Sequence, residues 1–463
     1  MARAVTLAAA LLLAGCFHAR AYAPDRAVAT WRASQAAKAR GAGPSSATRA
    51  EPAAPGAALT AEQVYDLALA RSSSLAALTA RADAAAAQVD AARQIENPEF
   101  RLQSFNLDDA IAGRPGLNVV LRMPVPRPGS VRARVHGAER AAEVQRSETD
   151  DARRQLRARI YKLFARMAML TADLELVAHA AELRAARRDQ VGARVEQSVA
   201  TRLDAALADV AHAEAREESA HLRDELATIR SELAHLGGLD DSAQFQIDPG
   251  ELQLRDVALD LDALTEQALT ARPELRAAQS RVGQAEADVF LARSQAWPWF
   301  EWAQIHYRIG PEASTPASWT FGVALNVPLF SLNRGEIKAR RAVLRQRELE
   351  ERAEISDVAR DVAEALARVE QTARRVRELE AGLLPRVDAA AREAEAALAA
   401  GSLDAVAAGE IAARMVAARR IHTAARLAHR EAVIDLEAAI GGPLPGARAP
   451  GRTPARPGPG APR

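Results

Sequence analysis

Apolar residues recur along this chain with two distinct periods, and the order in which the periods alternate predicts its organisation. Leu156, Ile160, Leu163, Met167, Leu170, Leu174 and Val177 are spaced by four and three residues in turn. Val358, Val362, Ala365, Val369, Thr372, Val376, Leu379 and Leu383 repeat the rhythm, and Leu222, Leu226, Ile229, Leu233 and Leu236 form a third run. Such seams belong to helices that pack along their length rather than to one face of a globular core. From Gly129 to about Ala200 lie roughly 70 residues, and from Gly335 to about Ala400 roughly 65. As single helices they extend about 105 and 98 Å. The segments 203–236 and 261–295 predict helices of only about 50 Å each. Two of these end to end match one long helix, and 59–94 with 403–440 form the analogous pair.

The second period is two. Leu117, Val119, Leu121 and Met123 alternate with Asn118, Val120 and Arg122. Trp319, Phe321, Val323, Leu325 and Val327 alternate with Thr320, Gly322, Ala324 and Asn326, and Ile305, Tyr307 and Ile309 alternate with Gln304, His306 and Arg308. About ten residues of apolar-out, polar-in alternation is the pattern of a membrane β-barrel strand. Trp297, Trp299, Trp302, Tyr307 and Trp319 suit an aromatic belt. The segment 100–107 alternates less cleanly. Its apolar phase switches between Leu102 and Phe105, as the second half switches between Trp302 and Ile305, which predicts a bulge at the same place in each. Four strands cannot close a barrel, which needs about eight. Open edges do not persist in lipid, so the sheet must be shared among copies. Two copies give eight strands and three give twelve, and the pattern alone does not choose.

The halves are an internal repeat. Asn97-Pro98-Glu99-Phe100 aligns with Trp297-Pro298-Trp299-Phe300, an offset of 200 (297 − 97). Val119–Pro124 aligns with Val323–Pro328 at 204 (328 − 124), and Gly129–Arg134 with Gly335–Arg340 at 206 (335 − 129). Leu203-Asp204 and Leu403-Asp404 return to 200 (403 − 203). Each half therefore reads helix, two strands, long helix, return helix. The organisation is a first repeat at 58–240, a linker at 241–260 and a second repeat at 261–440; the break from Gly237 to Asp260 contains Gly237-Gly238 and Pro249-Gly250. A Pro/Gly/Arg-rich tail, expected to be disordered, covers 441–463.

Composition narrows the class. Of 463 residues 49% are hydrophobic yet only 4% aromatic, so small side chains fill narrow seams between helices. With 61 basic and 60 acidic residues the net charge is +1, which argues against a nucleic-acid partner. The one cysteine, Cys16, follows a basic start, an apolar run from Ala4 to Leu13, and Leu13-Ala14-Gly15. That run is too short for a permanent span. Residues 1–16 read as a lipoprotein signal with Cys16 as the acylated residue, and 17–57 as a flexible tether. Phe17 stands where an inner-membrane retention Asp is often found, so the outer membrane is the expected destination. The nine His show no zinc spacing, and no phosphate loop or nucleophile elbow occurs. No enzymatic activity and no cofactor beyond the lipid on Cys16 are expected.

Several landmarks resemble the outer membrane efflux protein family, typified by TolC and the outer components of drug and metal exporters. They are Ala271-Arg272-Pro273-Glu274-Leu275, the strand from Phe321 to Phe330, Leu383-Leu384-Pro385, and Ala400-Gly401-Ser402-Leu403-Asp404. The resemblance covers about residues 59–440. It implies a mainly α fold with a small membrane β-barrel: a trimer with a shared twelve-strand barrel on a periplasmic α-barrel. It also implies a passive exit duct of a tripartite efflux or type I secretion system, with a periplasmic membrane fusion adaptor and an inner-membrane pump as partners. The first-half turn, Val199 to Asp204, departs from the family by lacking its common Gly.

Candidate residues follow. Thr201, Leu203, Asp204, Gly401, Ser402, Leu403 and Asp404, at the two helical turns, take the family's adaptor-contact role, although Thr201 and Ser402 equally suit helix N-caps. Asp209 and Glu410 are candidates to line the gate, where carboxylates in a narrow pore favour cations. Leu117, Val119, Leu121, Trp319, Phe321, Val323 and Leu325 are the expected lipid-facing positions. A periplasmic coiled-coil adaptor is the alternative, but it has one helical hairpin where this chain has two. An all-helical envelope lipoprotein leaves the strands unexplained.

Overall fold

The computed structural model describes residues 58–104, 117–240, 242–248, 250–254, 260–309, 318–328, 332–400 and 405–444. Cys16, the tether 17–57, the second turn with Gly401, Ser402, Leu403 and Asp404, and the tail beyond 444 lie outside them.

Each repeat begins with a helix in two pieces. Helices α1 (Ala61–Arg71) and α2 (Ser73–Arg93) meet at Ser72, whose hydroxyl accepts from Leu75 N–H while its own N–H bonds Ala68 O. Strands β1 (Glu99–Ser104) and β2 (Leu117–Pro124) follow, then helix α3 (Ser130–Glu196) and helix α4 (Arg202–Gly237). The second repeat holds α5 (Leu261–Ala271), α6 (Pro273–Ser294), β3 (Trp299–Ile309), β4 (Ser318–Asn326) and α7 (Arg334–Glu378). A π-helical turn (Leu379–Leu383), α8 (Leu384–Ala399) and α9 (Ala405–Ala439) complete it.

Three expected single helices are thus interrupted. The breaks at Ser72 and Arg272 fall 200 residues apart (272 − 72), one per repeat. Arg272 precedes Pro273, whose ring forces its neighbour out of the helical region, and its ψ is 128°. The π turn precedes Pro385. Proline lacks an N–H and clashes with the carbonyl four residues back, so the helix widens there and Leu384 N–H bonds Leu379 O, five residues back.

Helix α3 is the central staff. Its 67 residues span about 100 Å and it packs against α1, α2, α4, α6 and α9. The heptad residues Ile160, Leu163, Met167, Leu170 and Val177 meet Leu222, Leu226, Ile229 and Leu233 of α4 in one core. Val358, Val362, Ala365 and Val369 of α7 form the second core with Leu264, Leu275, Val433, Leu436 and Ile440. The linker straps across the middle: Leu59 and Phe245 form a parallel bridge, Leu252 is buried against Tyr161 and Ile434, and Glu251 pairs with buried Arg430 at 2.6 Å. Residues 441–444, expected in the tail, instead close α9. Gly441 takes a left-handed φ of 75°, Gly442 N–H bonds Glu437 O, and Leu444 is buried in the second core.

The four strands form one antiparallel sheet in the order β1-β2-β3-β4, so the central β2–β3 pair joins the two repeats. The expected bulge is corrected in the second half. There it lies between Phe300 and Trp302, before Trp302 rather than after it; in the first half the β1–β2 pairing is regular from Glu99 to Ser104, and Phe105 lies outside the described residues. The extra residue, Glu301, moves Trp302 off the apolar face, which is why the apolar phase changes.

Candidate membrane face and helical tip

The register assigns every strand residue to a face. Opposite one another stand Phe100 and Leu121, Leu102 and Val119, Leu121 and Ile305, Ile305 and Phe321, Tyr307 and Trp319, and Phe300 and Leu325. Side chains directly opposite share a face, so Val119, Leu121, Trp319, Phe321, Val323 and Leu325 all lie on it, with Leu117 at the same register phase opposite Ile309. The face is apolar and open: Phe100, Leu102, Phe300, Ile305, Trp319, Phe321, Val323 and Leu325 are all exposed in the single chain. The other face carries Asn118, Arg122, Gln304, His306, Arg308 and Thr320. There the Arg122 guanidinium sits 4.3 Å above the Trp302 ring, and Arg308 Nε donates to Asn118 Oδ1 at 3.3 Å. Among the described residues, β1 and β4 each have one unpaired edge.

The sheet is fixed to the helices below it. Arg127 Nη1 donates to the carbonyls of Ser294 and Trp297, both at 2.7 Å, and so satisfies groups at the C-terminal end of α6. Trp299 Nε1 donates to Val125 O at 3.1 Å, and Asn333 Nδ2 donates to Ala292 O at 2.8 Å.

At the other end, α3 turns into α4. Val199 and Ala200 N–H both bond Arg194 O, and Ser198 adopts a left-handed φ of 60°. Ser198 thus takes the conformation that a glycine supplies more cheaply. Thr201 caps α4: its hydroxyl accepts from Asp204 N–H at 3.2 Å, and Asp204 Oδ2 accepts from Thr201 N–H at 2.9 Å and from its hydroxyl at 2.8 Å. These bonds hold the Asp204 carboxyl below its usual range. Leu203 points into solvent, 67% exposed. Val199, Leu207 and Val210 are exposed beside it, and the candidate set had omitted them. The successive spacings from Val199 through Leu203 and Leu207 to Val210, of four, four and three, were a readable signal, out of phase with the Leu222 seam.

Asp209 lines a groove of about 400 Å³ with Arg188, Asp189, Gly192, Glu196 and Ala205. Glu410 Oε1 accepts from Arg414 Nη2 at 2.7 Å on an exposed stretch of α9. Asp209 and Glu410 are not in contact with each other in one chain, and each has an arginine nearby. Among the described residues no group of three or more His, Asp or Glu converges to hold a metal ion, and no helix is long and apolar enough to cross a membrane.

The sequence matches the family described as outer membrane efflux protein over residues 64–239 and 264–442, one span in each repeat. The fold is similar to that of a membrane protein from Pseudomonas aeruginosa, with TM-score 0.70 and 20% identity over 88% of this chain and 98% of that one. It is also similar to the outer membrane protein VceC from Vibrio cholerae, at 0.67 and 18% over 83% and 96%. The open state of the MtrE outer membrane channel of Neisseria gonorrhoeae matches at 0.66 and 20% over 82% and 89%. No curated protein matches the sequence significantly.

Proposed function

The chain belongs to the outer membrane efflux protein family, and we propose that three copies assemble into the outer-membrane exit duct of a tripartite efflux or type I secretion system. The observation that carries the reading is the four-stranded sheet, which combines an exposed apolar face, a polar face and two free edges on top of helices about 100 Å long. Pairing β1 of one copy with β4 of the next gives twelve strands and removes every edge. The apolar face then meets lipid, and Arg122, Gln304, His306 and Arg308 line a wet lumen. The helices continue the conduit through the periplasm. The chain moves nothing by itself; substrates arrive from an inner-membrane pump through a periplasmic adaptor. The family assignment does not support the alternative in which the chain is itself the adaptor.

Two finer parts belong to the same reading. Cys16 carries the lipid that anchors the N-terminus in the outer membrane; Cys16→Ser should abolish incorporation of labelled lipid, and undiminished incorporation sinks the anchor. The tip, with Thr201, Leu203 and Asp204 on the first turn and Gly401, Ser402, Leu403 and Asp404 on the second, receives the adaptor. Its exposed apolar residues support that role on the first turn, whereas Thr201 and Asp204 act mainly on each other. Asp209 and Glu410 at the gate are partly neutralised by neighbouring arginines, which weakens any cation preference they confer.

The decisive experiment is the mass of the detergent-solubilised complex by light scattering, corrected for bound detergent. Three chains are expected. A monomer stable without detergent overturns the barrel and the duct with it.

A further inference from the structure

We propose that Arg334, Lys338 and Arg341 form a docking surface for anionic phospholipid headgroups at the base of the barrel. The proposal rests on the membrane reading above. The three cations are spaced by four and three residues, so they share one face of the first turns of α7. With Ile337 they line a shallow cavity of about 330 Å³. All three are exposed, and among the described residues none has an acidic partner or a side-chain hydrogen bond. The neighbouring cations are engaged: Arg340 pairs with Glu336 at 2.7 Å, Arg345 with Glu348 at 3.7 Å, and Arg347 with Glu350 at 2.6 Å.

Their height matches the headgroup layer. Asn333 pins the start of α7 to the end of α6, directly below the first residues of β3. An apolar barrel face is about 25 Å tall, and the strands of 8 to 11 residues in β2, β3 and β4 fill that height. Beyond it, roughly 5–8 Å of headgroups lies on each side of the hydrocarbon. Arg334 to Arg341 cover about 10 Å of helix starting at that boundary. Exposed Val327 and Leu332 stand on its apolar side, as does Trp297 at the end of α6.

Two further features point to an external anion. Cations in the first turns of a helix are disfavoured by its dipole, and the one acid in the first turn of α7, Glu336, is committed to Arg340. The other repeat shows the same imbalance at the equivalent position. Arg132 of α3, aligned with Lys338 (338 − 132 = 206), is exposed and without a partner, and the first turn of α3 has no acid. Among the described residues nothing compensates these charges, whereas lipid phosphates at this level do.

The test uses the full-length lipidated protein reconstituted in nanodiscs of phosphatidylcholine with phosphatidylglycerol, and counts phosphatidylglycerol retained per complex by native mass spectrometry. The wild type should prefer phosphatidylglycerol. The variant Arg334→Gln, Lys338→Gln, Arg341→Gln should lose on the order of tenfold or more in that preference, with a dependence on salt. A control removing three exposed cations lower on the same helix (Arg352→Gln, Arg368→Gln, Arg374→Gln) should keep it. Equal retention by the first variant overturns the site, and equal loss in the control reduces it to net charge. A change in ion selectivity in planar bilayers with retention unaltered also overturns it, because the patch then faces the lumen. Failure of the wild type to enter nanodiscs at all overturns the membrane reading itself.

Discussion

Arg420 on α9 donates through Nε to Asp173 on α3 across 3.1 Å, and Asp173 is only 4% exposed. The Thr423 hydroxyl donates to the same carboxylate at 2.6 Å, and Arg420 also bonds Glu218 of α4. Arg420 thus ties the return helix of the second repeat to the long helix and the return helix of the first. Removing the Asp173 carboxylate leaves Arg420 with Glu218 as its remaining side-chain acceptor and the Thr423 hydroxyl with only its local bond to Arg420 O. Asp173→Ala should destabilise the fold by about 2–3 kcal/mol, somewhat below the range for a fully buried pair because Arg420 is one-third exposed. Thermal unfolding followed by circular dichroism measures this, and an unchanged midpoint refutes the tie.

Glu354 gives a pH dependence. Burial pushes its carboxyl above the usual range, Glu274 adds to the shift, and Arg272 opposes it. A raised folded-state pKa means that the folded protein holds the proton more tightly than the unfolded chain. The associated stability is present below the unfolded pKa and is lost as pH rises through the folded one. Glu354→Gln should therefore be more stable than wild type at pH 7, with the gain vanishing under acid. A gain that is constant with pH contradicts the assignment.

Val323 lies on the apolar face of β4, opposite Ala303. Val323→Asp places a charge against lipid at a cost on the order of 2 kcal/mol per copy, repeated in each subunit. Trimer yield on non-denaturing gels should collapse. Thr320→Asp, on the opposite face, should trimerise normally; the reverse pattern means the faces are exchanged.

Ser198 holds a left-handed φ of 60° in the first tip turn. The strain is about 1 kcal/mol for a residue with a Cβ. Ser198→Gly should slow hydrogen exchange of the amides of Val199 and Ala200, and Ser198→Val should accelerate it. Equal exchange in all three shows that the turn does not limit local opening.

Much of this was readable in advance. Heptads around Ile160 and Val358 marked the long helices, because a side chain buried every 3.5 residues leaves no other regular solution. Alternation from Trp319 to Leu325 marked a two-faced strand for the same kind of reason. The break at Arg272 had a sequence signal in Pro273, although the period alone reads 261–295 as one helix. Its counterpart at Ser72 has no proline, and only the repeat pointed there. Pro385 likewise marked the π turn, but the heptad from Val376 through Leu379 to Leu383 carried the reading of one helix across it. The omitted tip residues Val199, Leu207 and Val210 show a different limit: apolar spacing says that a face will be covered, but not by what.

By itself the sequence determined the element types, the two-fold repeat and the apolar face of the sheet, because those depend on local geometry and on period. Only the tertiary structure decided that β2 pairs with β3 across the repeats, that the bulge sits at Glu301, and that Arg420 reaches Asp173. Arg420 and Asp173 lie 247 residues apart, and a contact over that distance exists only once the helices are packed and their register along one another is fixed.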